Sequence, residues 1–257
     1  MSKENRVAIF VLSLDGSTRR QRILEQLQRI GLDFDFIDAI NGASLPMQTI
    51  DSINVATAVR YRRAISAGEI GCALSHQKIY QIICDNQINY ALILEDDVSI
   101  TSGLIDIVKY FKFEAKSVAD RNLYLLGGQD GLASQDMIVT SLRKKIKISE
   151  RVSFAKLNSS SKYIYRTCCY VISGYLAKTL LESNRESFFI ADDWHYLYRK
   201  GVFDKLYLTK IVSHPMVLND STLEQGRQVK ASYWKISKLR RLLRGCKCFI
   251  RKLIRLY

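Results

Sequence analysis

Proline is almost missing from the 257-residue chain, which has two, and the 13 glycines are scattered rather than gathered into a linker. This excludes collagen-like and low-complexity readings and leaves no proline-rich or glycine/serine-rich hinge at which to divide the chain. Cysteine is sparse too. The six thiols form no C-x-x-C pair and are too few for a disulfide framework at this length, so reduced, buried thiols in a cytosolic protein are expected. Long apolar runs are also lacking near the start. The run Val7 to Leu12 is six residues long and meets Leu14-Asp15, too short for a signal-peptide core and far short of the about 20 residues of a membrane span. The expectation is a cytoplasmic protein that crosses no membrane.

What is present is ordinary for a globular protein, 47% hydrophobic and 25% charged residues, enough for a sizeable core. The net charge of +14 suggests a nucleic-acid binder until it is located along the chain. From Arg227 to Tyr257 there are eleven Lys and Arg and no Asp or Glu, whereas the first 226 residues carry only +3. In the tail, Leu239, Leu243, Cys246, Ile250, Leu253 and Tyr257 recur at helical spacing, and Arg240, Arg241, Arg244, Lys247, Arg251, Lys252 and Arg255 fall on the other side. A basic amphipathic helix of this kind suits an anionic lipid surface. The same stripe could pack on the domain, or its arginines could meet nucleic-acid phosphates, but the aromatic interleaving of single-strand binders is missing, so no nucleic acid is expected.

Along the body, Arg6 to Leu14 reads as a buried strand, Thr18 to Ile30 as a helix closed by Gly31, and Asp33 to Ile37 as a second strand before the Asn41-Gly42 turn. Residues 43–65 show no clear period and read as loop with some helix. Ile70 to Cys84 reads as helix, and Tyr90 to Leu94 as a strand buried on both faces. Further short strands are predicted at Leu123 to Leu126 and Cys168 to Ser173, the latter followed by a helix from Tyr175 to Leu181. This alternation predicts one α/β domain with a mostly parallel central sheet over residues 1–226, followed by the basic tail at 227–257.

The sharpest chemical feature is Glu95-Asp96-Asp97 directly after the strand Tyr90 to Leu94, because ligand sites in open parallel sheets gather at strand carboxyl ends. Three acids there repel and lose hydration, which a hard divalent cation, Mn2+ or Mg2+, would offset. Glu95 and Asp97 project to one side of an extended segment and can share one ion; Asp96 faces elsewhere and is grouped with the donor-binding residues. An acidic turn is the plainer alternative. A second pair, Asp192-Asp193, precedes Trp194, where a carboxylate could act as base on an acceptor hydroxyl, Asp193 by preference and Asp192 second, unless Asp192 simply caps a helix. Of the three histidines, His214 lies where it could reach back to a metal held by Glu95 and Asp97, and His195 is left without a role.

The stretches Val11-Leu12-Ser13-Leu14 with Arg19-Arg20, Phe36 to Gly42, Ser66-Ala67-Gly68-Glu69-Ile70-Gly71-Cys72-Ala73-Leu74-Ser75-His76, Ala91 to Val98 and Ala191-Asp192-Asp193-Trp194 resemble the family 25 glycosyltransferases. These are lipopolysaccharide and lipooligosaccharide glycosyltransferases of Gram-negative bacteria, many of them β-galactosyltransferases. The resemblance spans roughly residues 6–220 and leaves out the basic tail. It implies a GT-A-like fold, a nucleotide-sugar donor such as UDP-galactose, inversion, and a divalent metal at an acidic D-x-D-type motif, here with Glu95 in place of the first Asp. By the resemblance, Ser13, Leu14 and Asp38 mark the nucleotide end of the donor site and Ser75 and His76 the ribose. Arg19 and Arg20, at a helix start, could reach phosphate or simply be solvated.

The expected activity is transfer of a hexose from a UDP-sugar to a lipooligosaccharide or lipopolysaccharide acceptor on the cytoplasmic face of the inner membrane, where a lipid-binding tail raises local concentration. A metal-dependent phosphoesterase could also use strand-end acids, and a non-enzymatic membrane- or RNA-binding protein would account for the tail alone. Deleting residues 235–257 is expected to move the protein from the membrane to the soluble fraction while activity on a soluble acceptor survives. An unchanged partition on fractionation would overturn the membrane role.

Overall fold

The apolar run that opens the chain forms β1 (Val7–Ser13), and the alternation that follows it becomes β2 (Asp35–Asp38), with α1 (Arg19–Arg29) as the crossover. Ile23 and Leu27, one turn apart, are the residues α1 buries, and Gly31 at φ +65° ends it in the left-handed conformation glycine tolerates. The computed structural model describes residues 5–115 and 120–215, with Cys246 and Ile250 singly. Apart from those two residues, the proposed tail helix therefore lies outside the described residues.

Residues 43–65, expected as loop with some helix, are mostly helical. They contain α2 (Met47–Tyr61), a full helix whose only buried residue is Thr57 and whose Met47, Val55 and Val59 are exposed. A helix that buries a single residue has no apolar stripe to impose a period, so its sequence leaves none to read. The helix α3 (Ala67–Asp85) starts with a capping box in which Ser66 Oγ accepts from the Glu69 amide at 3.2 Å and Glu69 Oε2 accepts from the Ser66 amide at 3.0 Å.

The remaining elements are β3 (Tyr90–Glu95), β4 (Ser99–Ile100), α4 (Gly103–Lys109), β5 (Asn122–Gly127), the hairpin β6 (Thr140–Lys147) and β7 (Ser153–Leu157), β8 (Cys169–Ser173), α5 (Gly174–Glu186), α6 (Trp194–Arg199) and β9 (Lys205–Ser213). Eight strands run in the order β2-β1-β3-β8-β5-β9-β7-β6, and β4 pairs with β9. Pairings of β1 with β2 and β3, and of β5 with β9, are parallel. The strands β8, β7 and β4 run against the others. The fold is of the expected α/β class, with a mixed central sheet in which most strands share one direction.

Alternation along the strands splits the core in two. Phe10, Leu12, Ile93, Tyr170 and Ile172 pack with α3 and α5 on one face, and Ile9, Val11, Leu92, Leu94 and Val171 with α1 and α4 on the other. Each fully buried aliphatic side chain contributes about 1.5–3 kcal/mol, so coverage of both faces explains why these strands read as continuous apolar runs. Among the described residues no helix is long and apolar enough to cross a membrane. Of the described thiols, Cys168 and Cys169 are buried, Cys72 and Cys84 half-buried and Cys246 exposed.

Shared strand direction brings the ends of β1, β3, β5 and β9 to one edge of the sheet, and the reversed β8 begins there. The N-terminus of α3 closes this edge against the turn after β2. A Cβ on Gly42 would stand 2.0 Å from the Ala67 carbonyl oxygen, and one on Gly71 would stand 2.6 Å from that of Ile40. Only glycine permits such an approach. Gly42→Ala is expected to lower stability by about 1–3 kcal/mol, read as a drop in Tm. An unchanged Tm would mean that the helix start yields without cost.

Candidate active site

Glu95 is the last residue of β3, and the turn after it carries Asp96 and Asp97. The turn, not an extended segment, brings Glu95 and Asp97 together, and one ligand atom from each lies within 4.8 Å of the other and of a His214 ring nitrogen beyond β9. Asp96 turns the opposite way and is 4% exposed. Its Oδ2 accepts from Ser13 Oγ at 2.6 Å and Ser17 Oγ at 2.9 Å, and its Oδ1 meets Arg19 Nε at 3.0 Å. With both oxygens engaged, Asp96 braces the end of β1 and the start of α1.

His214 Nε2 stands 3.3 Å from Asp97 Oδ2, and Arg19 Nη1 stands 3.7 Å from the same oxygen. Burial alone would raise the Asp97 pKa, but the bond and charge of His214, helped by Arg19, hold it below the ordinary carboxylate value. Burial likewise works against protonated His214, yet Asp97 and the Pro215 carbonyl outweigh it and raise its pKa. Asp97 Oδ1 is buried with no hydrogen-bond partner. On the other ligand, Thr167 Oγ1 donates to Glu95 Oε1, and His76 Nε2 lies 3.6 Å from that oxygen. Two carboxylates, an imidazole and an orphaned buried oxygen fit a divalent cation of hard or borderline character.

Beside these acids opens a cleft of about 430 Å3, lined by Leu12 to Leu14, Arg19, residues 39–43, the start of α3, Cys72, Ser75 and Glu95 to Asp97. Ser13, Leu14, Arg19 and Ser75, all singled out from the sequence, are in its wall. Ser75 also ties α3 to the loop after β2, accepting from the Ile40 amide at 2.7 Å and donating to the Gly71 carbonyl at 2.6 Å. Three other candidates, Asp38, His76 and Arg20, are not in the lining. Asp38 is exposed and paired with Arg20, whose hydrogen bond lowers the Asp38 pKa. His76 is 1% exposed and faces inward, with Nδ1 2.7 Å from Tyr170 Oη. Arg20 is drawn back to the Ser13 carbonyl at 3.1 Å and to Asp38.

The second acid pair sits where Ile190 to Asp193 turns into α6. Asp193 takes the N-cap position of α6 without capping it, and Asp193 Oδ2 accepts from Tyr61 Oη at 2.8 Å. Burial, and then the Asp193 charge, push the Tyr61 pKa well up, so that this phenol stays a donor. Asp192 Oδ2 accepts from the Arg166 amide at 2.9 Å. Arg166 has a positive φ of 66°, strained for a residue with a side chain, and its Nη1 donates to the Gly128 and Asp130 carbonyls at 2.8 and 3.2 Å. Trp194 Nε1 donates to the Arg166 carbonyl at 3.0 Å, so both ends of that residue are held. The next residue is Thr167, the donor to Glu95.

Residues 7–195 match the family described as Glycosyltransferase family 25 (LPS biosynthesis protein). The chain belongs to glycosyltransferase family 25. A Haemophilus influenzae protein bearing the provisional name of glycosyltransferase is 31% identical over 135 residues, 45% of this chain and 48% of its own. Human procollagen galactosyltransferase 2 is 30% identical over 96 residues, 35% of this chain and 15% of its own. A glycosyltransferase 25 family member of Aedes aegypti is 28% identical over 182 residues, 68% of this chain and 28% of its own. The match thus spans about half or less of the length of these curated relatives. A solved glycosyltransferase involved in glycosylation of the major capsid of PBCV-1 aligns with 87% of this chain and 98% of its own at a TM-score of 0.41 and 10% identity.

In this family 25 chain, the residues that sequence reasoning missed are those that support the acids, Tyr61, Arg166 and Thr167, and Tyr170, which holds His76. Each acts on a partner far along the chain, Tyr61 on Asp193 across 132 positions and Thr167 on Glu95 across 72, so no local spacing marks them. His195, left without a role, has Nδ1 2.9 Å from Ser161 Oγ, and burial lowers its pKa. If Asp192 holds the strained Arg166 backbone, Asp192→Ala costs about 1–3 kcal/mol of stability, whereas Asp192→Asn, whose amide oxygen still accepts, recovers most of it. Equal Tm values for the alanine variant and the parent would remove that role.

Proposed function

We propose that this chain is a metal-dependent galactosyltransferase that moves galactose from UDP-galactose to a lipooligosaccharide or lipopolysaccharide acceptor with inversion. The observation that carries the reading is the cluster of Glu95, Asp97 and His214 beside the cleft walled by Ser13, Leu14, Arg19 and Ser75. The names of the procollagen galactosyltransferases favour galactose, and the family's description as an LPS biosynthesis protein favours the acceptor. A divalent cation, Mn2+ or Mg2+, held by Glu95, Asp97 and His214 supplies positive charge for the donor diphosphate and for the charge that builds on departing UDP.

The chain's own groups do the rest. Arg19, fixed by Asp96 and Asp97, holds a cation in the cleft wall for phosphate. Asp193, with one oxygen fixed by Tyr61, accepts the proton of the acceptor hydroxyl as its oxygen bonds to the anomeric carbon and the bond to UDP breaks on the opposite face. Asp192, committed to the Arg166 amide, is the weaker candidate. The basic segment 235–257 places the enzyme peripherally on the cytoplasmic face of the inner membrane, near a lipid-linked acceptor.

Release of UDP from a panel of UDP-sugars, with and without Mn2+ and with truncated lipooligosaccharide, tests the proposal. The expected result is metal-dependent turnover with UDP-galactose. It is lost in Asp97→Asn and falls about 10²–10⁴-fold in Asp193→Asn with donor binding intact. Preference for another donor, or silence from folded protein across the panel, would overturn the galactosyl reading, and near-normal turnover in the Asp193 variant would remove it as base.

A further inference from the structure

A second group of ligand atoms adjoins the first. Cys72 and His76 stand four residues apart on α3 and so share one helix face. A Cys72 Sγ, a ring nitrogen of His76 and a carboxylate oxygen of Glu95 all lie within 4.8 Å of one another. Tetrahedral coordination with bonds of about 2.0–2.3 Å sets such atoms about 3.3–3.8 Å apart, a closure that side-chain rotation achieves.

His76 gives the independent pointer. The residue is 1% exposed, its Nδ1 is bound to Tyr170 Oη at 2.7 Å, and that phenol meets Tyr80 Oη at 2.9 Å. The other nitrogen, Nε2, is buried with no hydrogen-bond partner and faces Glu95 Oε1 at 3.6 Å. A buried polar atom left unmade costs about 1–3 kcal/mol, which a ligand can offset. When His76 donates from Nδ1 to Tyr170, which donates in turn to Tyr80, Nε2 presents a lone pair toward the carboxylate. Ring orientation through the second nitrogen is how metal-binding histidines are held.

We propose that Cys72, His76 and Glu95 form a second cation site, for a thiophilic divalent ion such as Zn2+, which shares Glu95 with the cluster of Asp97 and His214. A thiolate with imidazole and one carboxylate favours Zn2+ over Mg2+ or Mn2+, and the Cys72 thiol releases its proton to solvent on binding. Because Glu95 serves both clusters, Zn2+ here draws it away from Asp97 and His214 and weakens their hold on a harder ion.

Co2+ added to the full chain provides the probe. The expected spectrum contains a sulfur-to-cobalt charge-transfer band that Zn2+ abolishes. Cys72→Ser removes the band and lowers Zn2+ affinity about 10–100-fold by competition titration. Cys168→Ser, which lacks another thiol near Glu95, keeps the band. Circular dichroism establishes that each variant is folded, and Mn2+ binding followed by electron paramagnetic resonance persists in Cys72→Ser. Absence of the band in the parent, its survival in Cys72→Ser, or its loss in Cys168→Ser alone would overturn the proposal. UDP release enters none of these readouts, so failure here and failure of the transfer reading are separate results.

Discussion

Three adjacent carboxylates at the end of a buried strand repel one another and have lost much of their hydration, so the surrounding structure must divide them. The turn after β3 begins the division, and the neighbours complete it. On one side Asp96 collects two serine hydroxyls and the Arg19 guanidinium, which welds the end of β1 and the start of α1 to the turn after β3. On the other, Glu95 and Asp97 remain together with His214, with one Asp97 oxygen unpartnered. The satisfied acid holds the frame and the other two are left for a ligand.

The wall opposite is set by α3. Its capping box fixes where the helix starts, Gly42 and Gly71 let its backbone touch the turn after β2, and Ser75 stitches the two together. The same helix carries His76 beneath Glu95. Position and chemistry are therefore linked: the contacts that shape the cleft also set the distance from the imidazole to the carboxylate.

Much of this was legible in the residues. The buried strands β1, β3, β5 and β8 show as apolar runs, α1 and α3 as periodic helices with stop and start signals, and the acidic triplet as an abrupt end to β3. What was not legible had no local pattern. The helix α2 buries one residue and so has no stripe, and β6, with Arg143, Lys144 and Lys145 exposed along it, is a charged strand at the sheet margin with no apolar run to mark it. Nor does composition reveal that β8 runs backwards, or that Tyr61 and Thr167 hold acids many residues away. Those facts belong to packing, and spacing along the chain does not encode them.

The place of β8 bears on how the molecule comes into being on the ribosome. Residues 169–173 wedge between β3 and β5, and β9 then slots between β5 and β7. Until about two thirds of the chain has emerged, β3 has one free edge and β5 two, and their unpaired amides and carbonyls invite association with other nascent chains. Thr167 and Arg166 arrive with β8, and His214 only with the end of β9, so the acidic turn spends most of synthesis without those partners. The inner positions of the sheet are thus filled late in translation, and the residue that follows the last strand is the histidine that completes the cluster.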